Sequence, residues 1–118
     1  MKTLYLNLKK KWFDMILSGE KKEEYREIKP TIVRLLFNVP KHYTLSEFTE
    51  QLKSNHSDPL LWQYVKPFDN NRFLNGMKKL TPQFIIEHKG ISIGKAKPEW
   101  SDNWQGEVFI IKLGNIIK

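Results

Sequence analysis

A change of hydrophobic period near the N-terminus is the strongest constraint that this sequence places on its fold. Residues 3 to 8, TLYLNL, alternate polar and apolar side chains, which is the pattern of a half-buried strand. The apolar residues that follow recur at the spacing of one helical face; they are Trp12, Phe13, Ile16 and Leu17. Gly19 then stands where a left-handed residue often ends a helix. The sequence therefore predicts a strand, a short helix and a stop at Gly19.

The stretch after that stop, GEKKEEYR at residues 19 to 26, is dominated by charged side chains. If the helix continued, its glutamates would form an acidic stripe facing solvent. If the chain turns and becomes extended, Glu24 and Arg26 share one face about 7 Å apart along the strand, and Tyr25 packs on the other face. Pro30 excludes a helix that runs through it and favours extended backbone at the residue before it. We therefore predict a turn followed by a strand.

The rest of the chain predicts helices in the middle and strands at the end. Thr44 and Glu47 form a capping-box pattern in front of a helix over residues 45 to 53. The apolar run from 31 to 39 fits either a short helix or a buried strand. Residues 69 to 79, rich in Asn, indicate a loop or a hairpin. β-Branched and aromatic runs punctuated by glycine predict strands at 84–88, 91–93 and 108–113.

Composition limits the classes of protein and of partner. The length of 118 residues fits one domain, and 40% hydrophobic residues are enough for a core. The absence of cysteine excludes disulfides and thiolate metal sites. The three histidines lack metal-ligand spacing and no phosphate-binding glycine loop is present, so we expect no cofactor. The formal charge of +7 attracts polyanions and makes nucleic acid a candidate partner.

The N-terminal residues lack the pattern of a signal peptide. The longest apolar runs are also far shorter than the roughly 20 residues that cross a bilayer. We therefore expect a cytoplasmic protein with no membrane association.

The helix, the glycine stop and the charges after it resemble the ASCH domain, a branch of the PUA-like β-barrel superfamily. Its hallmark, Gly-x-Lys-x-x-Glu-x-Arg after the first helix, stands complete here as Gly19, Lys21, Glu24 and Arg26. The later HKGISIGKAKPEW and VFIIKLGNII are similar to closing strands of a subgroup common in bacteria and their phages. The resemblance implies one ASCH domain over residues 1–118, with a subgroup-specific helical insertion around 40–75. The implied fold is α+β, a small, partly open PUA-like β-barrel with two or more short helices packed on it.

The resemblance also implies a function. PUA-like barrels commonly bind RNA, and ASCH domains are predicted to hold RNA or a modified nucleoside in a cleft beside the first helix. Some relatives resemble amidohydrolases that remove an acyl group from cytidine, and others are described as ribonucleases. In the amidohydrolases the motif lysine is the base and a threonine nucleophile stands where this chain has Glu24. Lys21 matches that lysine, whereas Glu24 departs from the threonine. The alternative to binding is a hydrolase acting on a modified base or on RNA, with Lys21 and Glu24 as catalytic residues.

Each candidate residue of the motif has a functional and a structural interpretation. In the functional interpretation, Lys21 is a cation that contacts a ligand phosphate or a base whose pKa is lowered by burial. In the structural interpretation, its charge stabilises the C-terminus of the helix. Glu24 and Arg26 either share a ligand pocket or form a structural ion pair. We expect all three to bind RNA or a nucleoside-like ligand.

Outside the motif, Trp100 and Trp104 in a polar loop either stack on bases or fold back to fill a barrel end. The lysines at 9–11, 78–79, 95 and 97 either track a nucleic-acid backbone or are simply solvated. Arg72 and Asn75 are further candidates for the border of the cleft. A third hypothesis is an accessory protein that presents the helix at 45–53 to a partner.

Overall fold

The structure is a computed structural model that describes residues 2–76 and 81–118. These residues form an α+β fold with five strands, four α-helices and a 3₁₀ turn at Pro98–Trp100. No helix among them is long and apolar enough to cross a bilayer. The elements are β1 (Thr3–Asn7), α1 (Lys10–Leu17), β2 (Glu23–Arg26), α2 (Pro30–Leu36), α3 (Leu45–Asn55), α4 (Pro59–Trp62), β3 (Asn70–Leu74), β4 (Gln83–Lys95) and β5 (Glu107–Ile116).

The five strands form one mixed sheet in the order β1-β3-β4-β5-β2. β1 and β3 are parallel, and the other neighbours are antiparallel. The sheet curls into a half-barrel with the helices packed on it, so the predicted α+β class and barrel-like shape are confirmed at that level. β1 and β2 are the two edge strands, and the Arg26 Nη2 atom of β2 donates to the Asn7 carbonyl of β1 at 2.7 Å. This bond links the two edges of the half-barrel.

The N-terminal strand, helix and stop are confirmed. The three leucines of the alternating stretch are buried, as are three of the four apolar residues assigned to the helical face. The fourth, Leu17, is 45% exposed, so the buried face of α1 is narrower than predicted. Gly19 has a left-handed φ of +87°, and its N–H donates to the Ile16 carbonyl at 3.0 Å. The chain then turns and enters β2, with Tyr25 buried as expected.

Two ambiguous segments are resolved by the tertiary structure. The run from 31 to 39 is mainly helical: α2 begins at Pro30 and buries Val33 and Leu36. The stretch from 69 to 79 contains β3, which forms a hairpin with β4 and lies between β1 and β4 in the sheet. The segment around 40–75 that the resemblance treats as an insertion therefore contributes an interior strand. Residues 77–80, with the candidate Lys78 and Lys79, lie outside the described residues.

The core joins the helical layer to the sheet through aromatic side chains. The ring of Phe37 lies 5.4 Å from Phe48 of α3, 5.5 Å from Trp62 of α4 and 5.9 Å from Phe109 of β5. The predicted capping box begins α3: the Glu47 N–H donates to Thr44 Oγ1 at 3.0 Å, and the reciprocal bond is 2.8 Å. The apolar face of α3 is thus already packed in the core, and a partner of this helix would meet its polar face.

Candidate ligand-binding cleft

A cleft of about 440 Å³ opens beside the first helix, where the two edge strands of the half-barrel approach each other. Its walls come from the end of β1, the first turn of α1, β2 and the residues just after it, and the loop between β4 and β5. The volume lies within the range of roughly 300–1,000 Å³ typical of small-molecule sites. Of the residues that the sequence singled out, the following line this cleft: Lys9, Glu24, Arg26, Trp100 and Trp104.

Lys21 does not line the cleft; it lies behind the cleft wall. Its side chain is fully buried, and the ammonium donates to Glu24 Oε1 at 3.1 Å and to the Glu23 carbonyl. The same Nζ atom lies 4.6 Å from the centre of the Tyr25 ring and 5.5 Å from that of Trp12. Burial lowers the pKa of Lys21, and the nearby Glu24 carboxylate offsets part of that effect. Lys21 therefore acts on the cleft through Glu24.

Glu24 presents a carboxylate whose two oxygens are both held. Oε1 accepts from Lys21, Oε2 accepts from Arg26 Nη2 at 3.0 Å, and the side chain is only 8% exposed. Its backbone is fixed because β2 pairs with β5, with Glu24 opposite Ile111. The structural ion pair and the cleft wall are thus the same group of side chains. The arrangement places a negative charge of fixed orientation at the ligand-facing surface.

Arg26 retains an unused donor. Its Nη2 atom donates to Glu24 and to the Asn7 carbonyl, but its Nε atom is buried without a hydrogen-bond partner among the described residues. A buried donor left unpaired costs about 1–3 kcal/mol, and such groups are rare in native structures. Because Nε is buried, a ligand in the cleft meets the exposed quarter of the Arg26 side chain rather than this atom.

Three of the protein's four tryptophans line the cleft. Trp12 is buried and donates its indole N–H to Asp102 Oδ2 at 3.3 Å. Trp100 is partly buried and has the Lys97 ammonium 4.4 Å from its ring centre. Trp104 is 38% exposed and has no hydrogen bond or ring contact within the described residues. Trp104 thus offers an open aromatic face.

The loop that carries Trp100 and Trp104 is tied to β2 at its start. The Lys97 N–H donates to the Tyr25 hydroxyl oxygen at 3.2 Å, and that hydroxyl donates to Glu23 Oε1 at 2.6 Å. Burial and the bond to Glu23 raise the pKa of Tyr25, so the hydroxyl stays protonated and keeps donating. Tyr25 therefore positions the aromatic wall of the cleft.

The charges that line the cleft balance among residues 2–76 and 81–118. Three cations and three carboxylates of these residues line it, in contrast to the net positive charge of the whole chain. A channel for a run of phosphates requires an excess of cations, so this lining suits a ligand with both donors and acceptors. The six residues are Lys9, Arg26, Lys29, Glu24, Glu27 and Asp102.

Other residues singled out by the sequence lie away from the cleft. Arg72 donates to Gln83 Oε1 at 2.6 Å and does not line the cleft. Asn75 also stands outside the lining, although it donates to the carbonyl of Leu8, which is part of the wall. Within residues 2–76 and 81–118, no group of three or more His, Asp or Glu side chains is placed to hold a metal ion.

Trp12 and Asp102 are among the cleft residues that the sequence did not single out as site candidates. Trp12 lies on the buried face of the first helix, as its spacing predicts. Its side chain also lines the cleft, because α1 lies at the opening of the half-barrel. Asp102 stands between the two loop tryptophans, and that spacing was the one available signal. Compared with known proteins, this chain significantly matches no family model, no curated protein and no solved structure.

Proposed function

We propose that this protein binds a nucleoside-like ligand in the cleft, either a modified nucleoside or an unpaired nucleotide of RNA. We further propose that the half-barrel is a PUA-like fold of the ASCH type, on the basis of the complete motif from Gly19 to Arg26. The observation that carries the functional proposal is the meeting of three indoles with the held Glu24–Arg26 pair in one cleft.

The chemistry of the lining matches that of a nucleobase. Stacking of a base on an aromatic side chain is worth roughly 1–3 kcal/mol, and Trp104 has an open face for it. The Glu24 carboxylate accepts hydrogen bonds from an exocyclic amino group, and the partly exposed Arg26 guanidinium donates to a ring nitrogen or carbonyl. A balanced set of charges recognises such a mixed donor and acceptor edge better than it recognises phosphate alone.

Binding is preferred to hydrolysis because of where Lys21 lies. In the amidohydrolases that the motif resembles, the lysine is the base, whereas the ammonium of Lys21 is enclosed by Glu24, the Glu23 carbonyl and two aromatic rings. It does not line the cleft. A group that acts as base must come within hydrogen-bond reach of the proton that it removes.

The test is a titration of tryptophan fluorescence in a Trp62→Phe background. Trp62 lies in the helical layer, so its removal leaves only cleft indoles as reporters. We expect saturable quenching by at least one of the four ribonucleosides, acylated cytidine, or short single-stranded or hairpin RNA. Trp104→Ala should weaken that ligand about 5- to 150-fold, the equivalent of 1–3 kcal/mol. RNA affinity should fall with salt if phosphates also make contact.

Tyr5→Ala is the matched control, since Tyr5 is an exposed aromatic residue outside the cleft. It should leave the affinity within twofold of the parent. Absence of binding across the whole panel at low salt, or an equal loss in the Tyr5 and Trp104 variants, would refute the proposal. Chromatography of the acylated cytidine after incubation checks the hydrolase alternative, which requires deacylation that Glu24→Gln abolishes.

A further inference from the structure

The carboxylate of Asp102 accepts hydrogen bonds from two side chains that line the cleft. Asp102 Oδ2 accepts from the Lys9 ammonium at 2.9 Å and from the Trp12 indole N–H at 3.3 Å. All three residues line the cleft, and 93 positions separate Lys9 from Asp102 in sequence. Two donors from the start of α1 thus converge on a single anionic oxygen that the loop after β4 supplies.

The ion pair between Lys9 and Asp102 can be broken at little cost in stability. The Lys9 and Asp102 side chains are both largely exposed, and exposed ion pairs of this kind contribute little to stability. A second anion can therefore replace the Asp102 carboxylate without disrupting the core. The donors themselves favour negative charge at this point: hydrogen bonds from Lys9 and Trp12 lower the pKa of Asp102.

The local electrostatics add to this preference for an anion. Lysines occupy positions 9 to 11 at the start of α1, and the first turn of that helix contains no acidic residue. Lys10 is paired with Asp14 at 2.6 Å, and the Lys11 ammonium lies over the Trp12 ring at 4.6 Å. Lys9 is therefore the lysine of this group whose ammonium is directed to the cleft, with Asp102 as its partner.

We propose that the Asp102 carboxylate holds the place of a ligand phosphate, which displaces it from Lys9 and Trp12 on binding. This rests on the proposed function and specifies it: the ligand is a nucleotide, whose base meets the Trp104 and Glu24 side of the cleft while its phosphate meets Lys9. Asp102 belongs to the same loop as Trp100 and Trp104. Its release therefore couples phosphate binding to the position of the stacking wall.

The test compares a ribonucleoside, its 5′-monophosphate and a dinucleoside monophosphate with the same base. Asp102→Asn removes the competing charge at nearly constant shape, so it should raise the ratio of nucleotide to nucleoside affinity roughly fivefold. Lys9→Met should lower that ratio by a similar factor. Lys53→Met is the matched control, because Lys53 is a partly exposed α3 lysine paired with Glu50 and lies outside the cleft lining; its ratio should equal that of the parent.

The two anionic ligands distinguish a free nucleotide, a phosphomonoester, from a phosphodiester of an RNA strand. If Asp102→Asn lowers the ratio or leaves it unchanged, Asp102 is not a stand-in for phosphate and the inference is overturned.

A probe without a base separates this inference from the proposed function. Inorganic phosphate should shift the Trp12 indole N–H signal in ¹H–¹⁵N spectra, and more strongly in Asp102→Asn than in the parent. No such shift in either protein would overturn the phosphate site even if nucleosides bind. Conversely, a phosphate shift without binding of any nucleoside or RNA would refute the proposed function and retain the anion site.

Discussion

Replacing Lys21 by methionine tests whether the buried charges behind the cleft depend on one another. Methionine keeps an unbranched chain of similar length, and its thioether makes favourable contacts with aromatic rings. The packing against Tyr25 and Trp12 is thus largely retained. What disappears is the cation 3.1 Å from Glu24 Oε1. Among the described residues, the carboxylate of Glu24, only 8% exposed, is then left with Arg26 as its counter-charge.

The expected loss of stability follows from that residual pairing. Removing one partner of a buried ion pair typically costs about 3–5 kcal/mol, because the other charge stays buried. Arg26 still pairs with Glu24 at 3.0 Å and is partly exposed, so we expect a loss near the lower end, about 3 kcal/mol. In the double variant Lys21→Met/Glu24→Gln the charge left in the cluster is that of Arg26, which is 25% exposed and still donates to the Asn7 carbonyl. Since neutral replacement of a whole pair is often tolerated, its stability should lie within about 1 kcal/mol of the parent.

Urea denaturation of the parent, the two single variants and the double variant, followed by circular dichroism, measures these free energies. A loss of about 3 kcal/mol is large against the roughly 5–15 kcal/mol total of a typical domain. The double variant should lose far less than the sum of the two single losses. The argument would be refuted by a Lys21→Met variant within 1 kcal/mol of the parent, or by additive losses in the double variant.

Three further predictions concern the pKa of Lys21, the pKa of Tyr25 and the backbone at Gly19. Because burial lowers the pKa of Lys21 below 10.5, the unfolded chain binds more protons between the folded pKa and 10.5, so stability should rise with pH across that window. Lys21→Met should lack this rise in denaturation midpoints; parallel profiles would contradict it. Above roughly pH 10 the raised pKa of Tyr25 has the opposite effect, since unfolded tyrosine ionises first, and Tyr25→Phe should remove that decline. Gly19→Ala should cost about 1–2 kcal/mol, because φ is +87° while the added Cβ meets only Lys22 Nζ at 3.7 Å. Gly19→Asn should cost less, and an Ala variant as stable as the parent would disprove the backbone argument.

The sequence by itself determined the elements whose cause is local. The glycine stop follows from the cost of a left-handed backbone for other residues, and it is found at Gly19. The capping box follows from the reach of Thr44 and Glu47 to each other's backbone N–H, and both bonds are present. Period-two alternation placed Glu24 and Arg26 on one face of β2, where they form an ion pair. None of these features needs a contact from a distant part of the chain.

Tertiary contacts decided the elements whose local signals were weak or misleading. Residues 70–74 are too polar to predict an interior strand, yet Asn70 accepts from Thr3 Oγ1 at 2.8 Å and Asn71 lies 2.8 Å from His88 Nδ1. Pairing of β3 with both of its neighbours satisfies the backbone groups of a polar segment. Those partners are remote in sequence, so no local pattern predicts the pairing.

The cleft also combines features that the sequence predicts with features that only the tertiary structure determines. The motif predicted a shared site for Lys21, Glu24 and Arg26. How deeply each side chain is buried depends on the tertiary structure, because the turn after Gly19 places Lys21 behind the Glu24 carboxylate that lines the wall. Asp102 joins the site only through donors about 90 positions away. Spacing along a chain fixes which face of an element a side chain occupies. What that face then meets depends on how the half-barrel curls, because the curl brings its two edge strands together.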